Sequence, residues 1–116
     1  MQSTTPYNRG DVVLVPFPFT NLRASSRRPA LIMSSDAYNH ATDDVIIVQI
    51  TSKVNSPLRP GDHTVAGWQQ AGLRMPSRAR AKVATLQRNL VSRVLGQMPQ
   101  DDMQAIENNL RSTLQL

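Results

Sequence analysis

The stretch Gly10 to Ile32, GDVVLVPFPFTNLRASSRRPALI, decides the fold. Val12 to Val15 is a β-branched, apolar run that reads as a strand. Pro16 and Pro18 should end regular pairing, because proline has no N–H to offer a ladder. Thr20 to Ser26 is polar without an apolar period and reads as a loop. Arg27-Arg28-Pro29 closes it, and Ala30 to Met33 reads as a second strand. A connection of about ten residues is longer than the usual hairpin loop of ~2–5, and such loops commonly carry function. The residue before a proline is held extended. Arg28 should therefore stand at a fixed strand entrance, with a guanidinium shaped to grip a phosphate. A solvated surface arginine is the competing reading.

Downstream, Ser34 to Asp44 is a connection rich in turn formers. Val45 to Ile50, VIIVQI, reads as a third strand, apolar enough to be buried on both faces; Thr51 and Ser52 stand at its end. Lys53 to Gly61 reads as loop, His63 to Ala66 as a short edge strand, and Trp68 to Gly72 as a turn, with Trp68 a packing anchor. In Arg78 to Ala84, RARAKVA, period two sets Ala79, Ala81 and Val83 to one side and Arg78, Arg80 and Lys82 to the other. That basic stripe is either a solvated face that discourages edge pairing or a surface that tracks a nucleic acid backbone. Thr85 to Asn89 reads as a turn and Val91 to Met98 as a further strand. Asp101 is the expected cap of a final helix, paired with Gln104. Met103, Ile106, Leu110 and Leu114 form its apolar stripe, and Glu107 and Arg111 an i,i+4 pair. The stripe must pack on the sheet or on a partner subunit. The expected architecture is mainly β (α+β): one domain over residues 1–116, a small curved barrel closed by a C-terminal helix.

Composition narrows the function. The formal charge is +5, and eleven arginines against two lysines supply it. That balance points to phosphate recognition, with nucleic acid the first candidate partner. There is no cysteine, hence no disulfide framework or thiolate metal site. His40 and His63 lie at no ligand spacing, and the acidic pairs Asp43-Asp44 and Asp101-Asp102 fall in a turn and at a helix start. No metal and no cofactor are expected. No stretch is long enough for a membrane span or signal segment, so the reading is a cytoplasmic protein without membrane association.

No metalloprotease, nucleophile-elbow or P-loop motif is present. What remains is arginine plus hydroxyl. RNA carries its own nucleophile, the 2′-OH beside the scissile phosphate. A protein need only align that hydroxyl and neutralise charge in the transition state. Arg28 suits the charge role, and Thr51, whose hydroxyl both donates and accepts, suits a positioning or proton-relay role.

The order GDVVLVPFPFT, then RRPALI, then VIIVQITS, then AGLRMPSRARAKVATL, then LG and the helix DDMQAIENNL resembles the MazF/PemK family of toxin endoribonucleases, over Arg9 to Leu116. The resemblance implies an SH3-like β-barrel with a C-terminal helix and a homodimer. It implies metal-independent, sequence-specific cleavage of single-stranded RNA, leaving 2′,3′-cyclic phosphate and 5′-OH ends, and a cognate antitoxin that occludes the RNA groove. The family's catalytic arginine, directly before proline, falls on Arg28, and its catalytic threonine on Thr51. The Pro16 to Arg27 loop looks like the flap beside the RNA site. Candidate RNA contacts are Phe17, Thr20, Arg27, Ser52, Arg78, Arg80 and Lys82; Phe17 and Phe19 either stack on bases or pack in the core. The alternatives are a gyrase-inhibiting toxin of similar fold, which does not need the arginine–threonine pair, and a degenerate member that binds RNA or antitoxin without cleaving.

Overall fold

The computed structural model describes residues 7–17 and 26–116. Among these residues, six strands form one antiparallel sheet: β1 (Asp11–Phe17), β2 (Ser26–Ile32), β3 (Asp44–Thr51), β4 (His63–Thr64), β5 (Arg78–Gln87) and β6 (Arg93–Gln97). Their spatial order is β4-β5-β3-β2-β1-β6. Two α-helices accompany them, α1 (Asp36–Ala41) and α2 (Gln100–Leu114). The sheet curls into a half-barrel, and α2 follows its last strand.

The valine- and isoleucine-rich strands face two apolar layers. Val13, Val15, Ala30, Ile32, Val45, Ile47, Leu86 and Val91 form one. Val12, Leu31, Val48, Ile50, Val65, Leu73, Met98, Met103 and Ile106 belong to the other, with Trp68 packed against it. Successive strand side chains alternate faces. The VIIVQI run accordingly gives Val45 and Ile47 to the first layer and Val48 and Ile50 to the second. Burial on both faces is the outcome its composition predicts.

Several local expectations are corrected. Strand β1 continues through Pro16, opposite Arg27, and Phe17, opposite Ser26. Its pairing with β6 stops at Leu14. Beyond that point β1 has one neighbour, and a missing N–H is tolerated as on an edge strand. Within the turn-rich connection, Ser35 caps α1 by accepting from the Tyr38 N–H. Strand β5 runs on to Gln87 before a 3-10 turn at Arg88–Leu90. Helix α2 starts two residues earlier than a cap at Asp101 would set it, with Pro99 at its N-cap and no side-chain cap. Asp101 lies in its first turn, where a carboxylate still complements the helix dipole.

Helix α2 packs its first half on the second layer through Met103 and Ile106. Arg9 ties it to the sheet, donating to the Met33 carbonyl and pairing with Glu107. Glu107 also meets Arg111 at 3.5 Å, the i,i+4 pair anticipated. The end of the stripe is uncovered: Leu114 is 52% exposed, and Val83 on the neighbouring strand 48%. Val83 opposes Val48 and Ala79 opposes Ile50, so both face the second layer, and four steps along β5 match two along β3 at a bulge.

No helix is long and apolar enough to cross a membrane among the described residues.

Candidate nucleic-acid interface

At the end of the sheet where the β2–β3 pairing stops, a cleft of about 360 Å³ opens. Arg27, Arg28, Thr51 and Ser52 line it, together with Leu14, Pro29, Ile50, Leu73, Arg74, Met75, Arg93 and Leu95. Four of the anticipated site residues, two adjacent pairs more than twenty positions apart in sequence, thus share one surface.

Strand register brings them together. In β2 and β3, Ile32 opposes Ile47, Leu31 opposes Val48, and Ala30 opposes Gln49. This pairing stops two residues short of Arg28 and Thr51, which stand at the same end of the two strands. Arg28 is also the direct partner of Val15 on β1. By alternation Phe17, Arg28 and Thr51 share a sheet face. The Arg28 guanidinium carbon lies 5.0 Å from the centre of the Phe17 ring. Arg27 turns its Nε to the Ser92 hydroxyl at 3.1 Å, beside β6.

Thr51 is buried, and its Oγ1 accepts from the Lys53 N–H at 3.2 Å. A hydroxyl has one hydrogen to give and two lone pairs. With a lone pair engaged by Lys53, the hydrogen remains available to an acceptor in the cleft.

Among the described residues, the charged side chains lining the cleft are Arg27, Arg28, Arg74 and Arg93, without a carboxylate. Among the described residues, Arg28, Arg74 and Arg93 make no ion pair. Like charges gathered without counter-charge repel, and a bound polyanion relieves that repulsion. Arg74 and Arg93 escape a reading of the sequence. Arg93 reaches the site because it opposes Leu14 across β1, a register that only the fold reveals. Arg74 follows Leu73 and stands two residues before Pro76, the single local hint that it occupies a fixed corner.

The basic stripe is not one exposed row. Arg78 is 5% exposed, and its guanidinium donates to the carbonyls of Val54 at 2.7 Å and Ser56 at 2.6 Å. Arg80 approaches Asp62 at 3.8 Å, half-buried. Lys82 is exposed to solvent. Thr20 and Phe19 lie outside the described residues.

Away from the cleft, Asp102 on α2 accepts from the Ala66 and Gly67 N–H groups, each at 2.9 Å, and meets His63 Nε2 at 2.7 Å. Burial pushes its carboxyl up, but the His63 hydrogen bond and the two backbone N–H groups outweigh this and hold it below the usual carboxylate range. This pair fastens the helix to the turn that follows β4. Among the described residues, no three His, Cys, Asp or Glu side chains gather in one group.

Comparison with known proteins agrees with this fold. An endoribonuclease from a mycobacterial species, solved with its cognate antitoxin, matches with a TM-score of 0.77 at 22% identity, over 95% of this chain and 96% of its own. MazF from Deinococcus radiodurans matches with a TM-score of 0.75 at 25% identity, over 97% and 100%. The Mycobacterium tuberculosis toxin MazF-mt6 matches with a TM-score of 0.73 at 17% identity, over 91% and 97%. No curated protein sequence matches significantly. The family model for the PemK-like, MazF-like toxin of type II toxin–antitoxin systems matches residues 8–114. With a curled six-stranded sheet, a C-terminal helix and a family match over nearly its whole length, the chain belongs to the PemK-like, MazF-like toxins of type II toxin–antitoxin systems.

Proposed function

We propose that this toxin is a metal-independent endoribonuclease that cleaves single-stranded RNA at short sequences. The observation that carries the reading is the meeting of Arg28 and Thr51 at one cleft whose charged lining is entirely arginine. The substrate's 2′-oxygen bonds to phosphorus as the bond to the 5′-oxygen breaks. The 2′-hydroxyl loses its proton and the leaving 5′-oxygen gains one. The products are a 2′,3′-cyclic phosphate and a 5′-hydroxyl.

Charge builds on the non-bridging phosphoryl oxygens as the fifth bond forms. A guanidinium cannot readily give up its proton, so Arg28 acts by stabilising that charge. The Thr51 hydrogen, directed away from Lys53, serves the same oxygens or aligns the phosphate. Arg27, Arg74 and Arg93 hold neighbouring phosphates, and Ser52 lies beside Thr51 on the rim. Phe17 stacks with Arg28, and Lys82 adds an exposed cation on β5.

The proposed partners are single-stranded RNA, a second copy of this chain and a cognate antitoxin. Two of the similar structures described as complexes, the mycobacterial endoribonuclease with its antitoxin and MazE–MazF from Deinococcus radiodurans, support the last of these.

Incubating the purified protein with a long defined RNA in EDTA, then mapping every new end, tests the reading. Cuts at a recurrent short sequence are expected. Intact RNA, bound or not, would favour a binding-only toxin, and inhibition of gyrase in its place would favour the non-enzymatic class.

A further inference from the structure

We propose that Arg78 is a positioning residue for Thr51, acting through the turn that joins β3 to the following loop. The proposal rests on the ribonuclease reading of Thr51. The two residues are direct partners across β3 and β5. Arg78 is buried, yet among the described residues no carboxylate pairs with it. Its guanidinium instead collects the carbonyls of Val54 and Ser56 at 2.7 and 2.6 Å, with the Pro57 carbonyl at 3.4 Å and the Ser56 hydroxyl at 3.5 Å. A buried cation is costly unless its donors are met. These contacts meet them only while the 53–57 segment keeps its shape; Arg78 Nε is left without a partner among the described residues.

That segment begins at Lys53, whose N–H binds Thr51 Oγ1 at 3.2 Å. The guanidinium holds the turn, the turn aims the Lys53 N–H, and the N–H fixes which way the Thr51 hydroxyl offers its hydrogen. A fork of fixed N–H directions suits this task better than an ammonium on a flexible stem. Arg78 therefore shapes the reaction without touching RNA, although its place in a row of cations suggests a phosphate contact.

The test compares wild type, Arg78→Met and Arg78→Lys on one RNA substrate, and follows hydrogen exchange of the Lys53 amide in each. Arg78→Met is expected to lower kcat about 10- to 100-fold with little change in KM. The Lys53 amide should exchange at least about tenfold faster. Arg78→Lys, which keeps the charge and loses the fork, should fall between the two. A rise in KM that steepens with salt, with kcat unchanged, would overturn the proposal and make Arg78 a phosphate contact. Unchanged Lys53 exchange in both variants would overturn it as well. Failure of the wild type to cleave would instead strike at the ribonuclease reading and remove the catalytic role, and Lys53 exchange would still decide whether Arg78 orders the turn.

Discussion

The guanidinium of Arg28 stacks on the ring of Phe17, 5.0 Å from its centre. Both residues belong to the paired β1–β2 ribbon, where Phe17 opposes Ser26 and Arg28 opposes Val15, so they are diagonal neighbours on one face. The ring's electron-rich face attracts the cation and limits where it can swing. Replacing Phe17 by Leu removes that attraction, worth about 0.5–1 kcal/mol at an exposed site. Single-turnover cleavage should slow by about two- to fivefold, the rate equivalent of that energy. An unchanged rate would mean that Arg28 is held by other contacts.

The cleft arginines should appear in the salt dependence of RNA binding. Each phosphate neutralised on a single strand contributes roughly −0.7 to the slope of log K against log salt. Arg74→Gln and Arg93→Gln should each weaken binding and flatten the slope by about 0.7. Fluorescence anisotropy with a short labelled RNA, titrated at several salt concentrations, measures this. Variants with wild-type slopes would place the RNA elsewhere.

Much of this was legible in the sequence. The valine and isoleucine runs, the Arg-Pro strand entrance and the Thr-Ser end of VIIVQI place three strands and the two main site residues, because apolar alternation and proline chemistry act locally. What was not legible depends on pairing. Arg93 enters the site through its register with Leu14, and the bulge in β5 between Ala79 and Val83 shows only in its pairing with β3. Arg78 looks like part of a surface stripe until the 53–57 turn is seen folded over it. The cap expected from Asp101 and Gln104 gives way to Pro99, and the neighbouring Asp102 serves tertiary contacts through His63 and the turn at Ala66 and Gly67.

Asp102 gives a pH signature. Its carboxyl ionises more easily in the folded chain than in the unfolded one. The stabilisation is therefore present above the unfolded value of about 3.9, and is lost as pH falls through the lower folded value. Asp102→Asn leaves one backbone N–H facing an amide NH₂, at a cost of about 1–3 kcal/mol near neutral pH. Thermal unfolding at pH 7 and pH 3 should show a large gap between wild type and variant at pH 7 that narrows at pH 3. A gap independent of pH would argue that the carboxylate's charge does not matter.

Gly72 joins the Trp68 corner to the cleft wall. Its φ is +79°, and an added Cβ would stand 2.1 Å from the Leu95 carbonyl oxygen. Backbone atoms cannot yield as a flexible side chain can. Gly72→Ala should destabilise by more than about 1 kcal/mol, and it should also displace Leu73 and Arg74 and slow cleavage. Chemical denaturation and an activity assay on the same preparation separate the two effects. Unaltered stability would mean that the corner relaxes freely.

The most direct measurement is the chemistry of the ends produced in EDTA by wild type, Arg28→Ala and Thr51→Ala. The account predicts 2′,3′-cyclic phosphate and 5′-hydroxyl ends from wild type. It predicts losses of about 10²-fold or more in both variants, each still folded by circular dichroism. Products with 3′-hydroxyl and 5′-phosphate ends, or full activity in Arg28→Ala, would contradict it.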